Sequence, residues 1–193
     1  MQNDLQRIDL KALLDVAEGT KYEPILTVFD RWRQETDAPS DWVDLADYAH
    51  MRQGPAVIMA GKREHLAIDT NEPGPGVLVQ TRKDLSGDVS ERFLEAFRRH
   101  LALSTRLTSE PEWPSGIQVR GGDWVVAVND RLGFPNSEET DEQLRAGMTA
   151  ALDRLFGEGG YDLTREENAE SRYGYRVRAE GNPTLKELQE KAA

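Results

Sequence analysis

The sequence predicts an α+β fold: a single domain over residues 1–193, with a largely antiparallel sheet (a meander plus two hairpins) covered by two long helices. Three observations predict it. Apolar runs between residues 42 and 82 are separated by short Gly- and Pro-containing connections, the pattern of an antiparallel meander. Residues 88–107 and 136–155 carry apolar side chains at helical spacing behind capping residues. Residues 116–129, apolar on both faces over Trp124–Val128, and the alternating run 161–179 read as hairpins. No interdomain linker or low-complexity stretch interrupts the chain.

Taken in order, Leu5, Ile8, Leu10, Leu13, Leu14 and Val16 have roughly helical spacing up to Gly19, with a strand around Ile8–Leu10 as the competing reading. Ile25, Val28, Phe29 and Trp32 form one helix face, and Pro24 suits a first helical turn. Residues 42–50 read as a strand in preference to a helix. Residues 55–60, 65–69 and 77–82 follow as short strands. Asp88 and Glu91 have the spacing of a capping box, and Phe93, Phe97 and Leu101 continue the helix at i+4 steps. Gly121-Gly122 reads as the two-residue turn of a hairpin joining 116–120 to 123–129. Asn136 and Glu139 cap the next helix, lined by Leu144, Met148, Leu152 and Leu155 and stopped at Gly157. Residues 161–165 and 172–179 alternate as the final hairpin, and Thr184 with Glu187 opens a short terminal helix. Phe29, Trp32, Val57, Phe93, Phe97, Val126, Leu144, Met148 and Leu152 are the expected core.

Composition excludes some chemistry. With no cysteine, the chain has no disulfide, no thiolate nucleophile and no cysteine zinc site. A net charge of −11 repels phosphate backbones and anionic headgroups, so neither nucleic acid nor membrane is an expected partner. The short basic pairs Arg31/Arg33, Lys62/Arg63, Arg82/Lys83 and Arg98/Arg99 read as solvated surface. No signal peptide and no run of about 20 apolar residues is visible. A soluble, cytoplasmic protein is expected.

Polar density peaks in Asp41–Pro55, where Asp44, Asp47, Tyr48, His50 and Arg52 precede an apolar strand. As a strand, this segment puts Asp44, Tyr48 and His50 on one face and Asp47 on the other. A helix would group Asp44, Asp47 and Tyr48. Carboxylates and imidazole suit divalent cations and proton transfer, but no established metal spacing is present, so no metal or cofactor is expected. Asn129, Asp130 and Arg131 end an apolar strand, where a rigid sheet can position functional groups. The plainer reading pairs Asp130 with Arg131 and gives Asn129 to turn backbone. No phosphate loop, dinucleotide fingerprint or nucleophile elbow occurs.

The stretch Asp44-Leu-Ala-Asp-Tyr-Ala-His50 with Gly54-Pro55, and Val128-Asn-Asp-Arg-Leu132 with Pro135-Asn136 and Glu139-Thr140, resemble a bacterial family of uncharacterised soluble proteins. The resemblance covers about residues 24–179. It implies no activity, substrate or catalytic residue, but it implies that the two polar stretches share one centre. Asp44, Tyr48, His50, Asn129, Asp130 and Arg131 are therefore the candidate binding residues. The preferred function is a non-catalytic binding or interaction protein, with a small molecule or another protein as partner. The alternative is a hydrolytic or metal-assisted enzyme using Asp44, His50 and Asp130.

Overall fold

The computed structural model describes residues 4–35, 41–48 and 54–193. Eight strands form one antiparallel sheet in the order β2-β3-β4-β5-β1-β6-β8-β7. The strands are β1 (Ile8–Val16), β2 (Trp42–Asp47), β3 (Pro55–Gly61), β4 (Glu64–Asp69), β5 (Gly76–Thr81), β6 (Ile117–Val128), β7 (Tyr161–Arg165) and β8 (Gly174–Ala179). Among the described residues there are also four helices: α1 (Glu23–Arg33), α2 (Val89–Thr108), α3 (Glu138–Phe156) and α4 (Leu185–Ala192). The meander β2–β5 and the terminal hairpin β7–β8 arise where tight turns separate alternating runs.

The helices cover one face only. Ile8, Leu10, Ala12 and Leu14 of β1 point to that face, because strand side chains alternate. Around them lie two adjoining apolar cores. Phe93, Phe97 and Leu101 of α2 pack with Leu144, Met148 and Leu152 of α3 over Trp124 and Val126. Ile25, Val28, Phe29 and Trp32 of α1 pack over Val57, Met59, Leu66 and Val79. All nine expected core residues are at most 1 % exposed. Burying each large side chain contributes roughly 1.5–3 kcal/mol, which is what holds a two-layer fold together.

Helix ends follow local chemistry. The Asp88 carboxylate accepts from the Glu91 backbone N–H at 2.9 Å, and Glu91 returns the bond to the Asp88 N–H, so the expected capping box forms. Thr184 and Glu187 do the same for α4. For α3 the cap is Ser137 rather than Asn136. Ser137 Oγ accepts from the Thr140 N–H, while Asn136 donates to the carbonyls of Glu166 and Asn168 and so ties down the β7–β8 loop.

Two further expectations are corrected. Residues 8–16 are a strand, not a helix, and they sit at the centre of the sheet, between β5 and β6. Both sides of β1 are buried, so its polar residues do not mark an exposed face and the alternation is masked. Gly121-Gly122 is not a turn. It lies inside the continuous β6, where the register against β1 shifts between Ala12 and Leu14. The glycines are needed because residues 181–183 cross the strand there. A Cβ on Gly121 would lie 1.8 Å from the Pro183 carbonyl oxygen, and one on Gly122 would lie 2.6 Å from that of Gly181.

Candidate functional site

The opposite, helix-free face of the sheet carries the alternate side chains of each strand. From β1 these are Asp9 and Lys11, from β6 Asp123, Val125 and Ala127, and from β8 Arg176 and Arg178. Lys11 and Asp69 remain 4 % and 6 % exposed even without a helix above them. The β4–β5 loop folds onto this face: Lys11 Nζ binds the Asp69 carboxylate at 2.6 Å and donates to the Asn71 carbonyl at 2.8 Å. Burial pushes the Lys11 pKa down, against the pull of Asp69.

Beside it, Asp9 is 3 % exposed. Its Oδ2 accepts from Gln80 Nε2 at 2.8 Å, from Asn129 Nδ2 at 3.2 Å and from Arg172. Burial raises the Asp9 pKa, while the Arg172 guanidinium works in the other direction.

Two clefts open on this face. The larger, about 840 Å³, runs over β6, β8 and β7 and is lined by Arg131, Arg165, Arg172, Arg176 and Arg178 against Glu72 and Glu166. Val125, Ala127 and Gly174 lie in its floor. Its size falls in the range of about 300–1,000 Å³ typical of small-molecule sites. Three of the arginines are engaged. Arg176 forms a two-pronged bond to Asp123 at 2.5 and 2.6 Å, Arg172 binds Asp9, and Arg165 lies 3.9 Å from Asp141. Arg131 and Arg178 are exposed and have no acidic partner among the described residues. Planar guanidinium groups in fixed positions suit carboxylate and phosphate oxygens, to which they donate in pairs. The smaller cleft, about 280 Å³, is lined by Asp9, Lys11, Asp69 and Leu78, and it shares Glu72, Val125, Ala127 and Arg172 with the larger.

The structure divides the residues expected from the sequence. Asn129 and Arg131 line the large cleft. Asn129 serves Asp9 rather than a turn. Asp130 does not pair with Arg131. Its carboxylate accepts from the Gly133 N–H at 2.9 Å, closing the turn after β6. Asp44 lies on β2, at the far edge of the sheet, where it accepts from the Leu45 N–H at 2.9 Å. Five strand spacings separate β2 from β6, roughly 24 Å at about 4.8 Å each. Asp44 and Asp130 therefore share no cleft, and the two polar stretches do not form one centre. Tyr48 is 43 % exposed just beyond β2. His50 lies outside the described residues. Among the described residues, no cluster of three or more His, Cys, Asp or Glu side chains is placed to hold a metal ion.

Sequence reasoning missed Asp9, Lys11, Arg172, Arg176 and Arg178. For the arginines a signal was present: Arg172-Tyr-Gly-Tyr-Arg-Val-Arg178 alternates basic with apolar residues, and period two places the basic ones on one face. For Asp9 and Lys11 the signal was hidden by reading β1 as a helix. No protein-family model matches this chain, and a search of curated proteins gave no match.

Proposed function

We propose that this chain is a binding protein that holds an anionic ligand, bearing carboxylate or phosphate groups, in the arginine-lined cleft of the helix-free sheet face. The observation that carries this reading is the pair of arginines in the cleft that no carboxylate among the described residues answers. Of the five arginines that line the cleft, Arg165, Arg172 and Arg176 are matched by Asp141, Asp9 and Asp123, and Arg131 and Arg178 are left with no acidic partner among the described residues of a chain whose net charge is −11. Guanidinium groups without a carboxylate partner attract small anions, while the acidic surface around them repels large polyanions. The β6–β8 pairing and the Arg176–Asp123 bond hold the floor and one wall of the cleft in place.

The catalytic alternative gains no comparable support. It needs Asp44 and Asp130 together, and they lie on separate parts of the sheet.

Calorimetric titration with inorganic tripolyphosphate tests the reading. The wild-type chain is expected to bind it with an affinity that falls as salt rises. The double variant Arg131→Ala/Arg178→Ala is expected to bind at least about tenfold more weakly, since each lost charge-assisted bond is worth roughly 1.5–3 kcal/mol. Its thermal midpoint is expected to stay unchanged, because neither side chain supports the fold through an ion pair. Equal binding by both proteins, or none by the wild type, overturns the proposal.

A further inference from the structure

We infer that anion binding in the arginine-lined cleft is coupled through Arg172 to protonation of Asp9, so that the cleft takes up a proton as it takes up its ligand. The inference rests on the anion-binding reading and adds the regulation of that site.

Arg172 is the connection. It lines the large cleft, and its side chain is 45 % exposed, while the carboxylate that it binds, on Asp9, is buried. Its Nη1 donates to Asp9, and a guanidinium has further N–H donors to offer a ligand. An anion in the cleft therefore meets a cation whose inner side already serves an acid. Asp9 itself stays sealed beneath, and the ligand's charge reaches it through the guanidinium that they share.

Asp9 depends on that guanidinium to stay ionised. Its one ion pair among the described residues is with Arg172. Its other donors are the neutral amides of Gln80 and Asn129. All three converge on Oδ2, and Oδ1 is buried with no hydrogen-bond partner. Burial disfavours the charged form of such a group and already holds the Asp9 pKa above its ordinary value.

The other charges around Asp9 do not take the place of Arg172. On β1, Lys11 is committed to Asp69 of β4 and to the Asn71 carbonyl. On the β5 side the neighbour is neutral Gln80, and beyond it His65 of β4 meets Arg82. On the β6 side, Asp123 holds Arg176 of β8. Arg7 before β1 and Arg131 after β6 are exposed, so water weakens their reach. Glu72 of the β4–β5 loop lines both clefts and adds negative charge. An anion beside Arg172 adds more, which raises the Asp9 pKa further. The complex then holds the proton more tightly than the free protein does. By linkage, affinity rises as pH falls from the Asp9 pKa of the complex to that of the free protein, and levels off below it.

The probe is ethane-1,2-disulfonate, a dianion whose own charge is constant from about pH 8 to pH 4. In the carbon-13-labelled wild-type chain, the Asp9 carboxyl resonance is expected to titrate about one pH unit higher with saturating disulfonate than without it. The matching gain in affinity, read by calorimetry over the same range, is about tenfold. Asp9→Asn is expected to lose most of that gain. An Asp9 midpoint that bound disulfonate does not move, or a gain retained in Asp9→Asn, overturns this inference and leaves the anion site standing. No binding of the disulfonate at any pH in the range also overturns it, and tripolyphosphate titrated alongside then reports whether the anion site itself stands. The wild-type resonance decides the matter even if the variant does not fold.

Discussion

His100 couples stability to pH. It is fully buried on α2, its ring edge-on to Trp124 with centroids 4.7 Å apart. Nε2 meets the Val77 carbonyl at 2.9 Å, and a carbonyl can only accept, so Nε2 carries the proton and Nδ1 accepts from Ser104 Oγ. Burial pushes the His100 pKa down to about 4 from 6.5, with the Val77 bond opposing. The folded state thus binds this proton more weakly than the unfolded chain does. The contribution of His100 is fully present above pH 6.5 and is lost as pH falls toward about 4, by about 3 kcal/mol in all. Urea midpoints measured from pH 7 to 4 are expected to fall with pH, and to fall less in His100→Gln. An identical slope in the variant would show that another group is responsible. Gly121 matters for a different reason: Gly121→Ala drives a methyl into the Pro183 carbonyl and is expected to destabilise by about 1–3 kcal/mol in chemical denaturation. Wild-type stability would mean that residues 181–183 do not cross there. The glycine pair was visible in the sequence, but a close approach by a segment 60 residues later was not, so the residues read as a turn.

At the scale of elements, α2 was the most legible. Its cap, length and apolar stripe agree with one another, and consistent local signals specify a helix strongly. Phe97 anchors that stripe, fully buried and edge-on to Trp124 with centroids 5.4 Å apart. Phe97→Ala is expected to lose about 3–5 kcal/mol in a denaturant titration, and a near-wild-type midpoint would contradict the packing. The strand β1 was the least legible. Lys11 and Asp9 interrupt its apolar run, and only the partners Asp69 and Arg172, far away in sequence, explain how charges survive in a central strand. A sequence reading sees these charges without their partners. The same blindness affected the site. Asn129 and Arg131 were found because they end an obvious strand. Arg176 and Arg178 are less legible, because alternation marks a strand without saying what its second face collects.

Over the whole molecule, the α+β architecture followed from composition and turn chemistry, while strand order did not, since no local signal says that the first strand is inserted between the fifth and sixth. Charge gives a prediction at this scale. The basic cleft is confined to one patch of an acidic surface, so duplex DNA is not expected to bind at physiological salt. A salt-sensitive submicromolar gel shift would contradict this. No helix among the described residues is long and apolar enough to cross a membrane. The central position of β1 also bears on synthesis. The ribosome releases this strand first, yet its two neighbours, β5 and β6, appear only some 60 and 100 residues later. Until Ile117–Val128 emerges, one edge of β1 stays unpaired, and the apolar side chains of the nascent amino-terminal half have no Trp124 or Val126 to rest against. Loops of that length must close before the sheet is rewarded for it, so folding is expected to be slowed by its distant pairings. A chain stalled before residue 117 presents an open strand edge to its neighbours, which makes translation arrest in that window a point of aggregation for this protein.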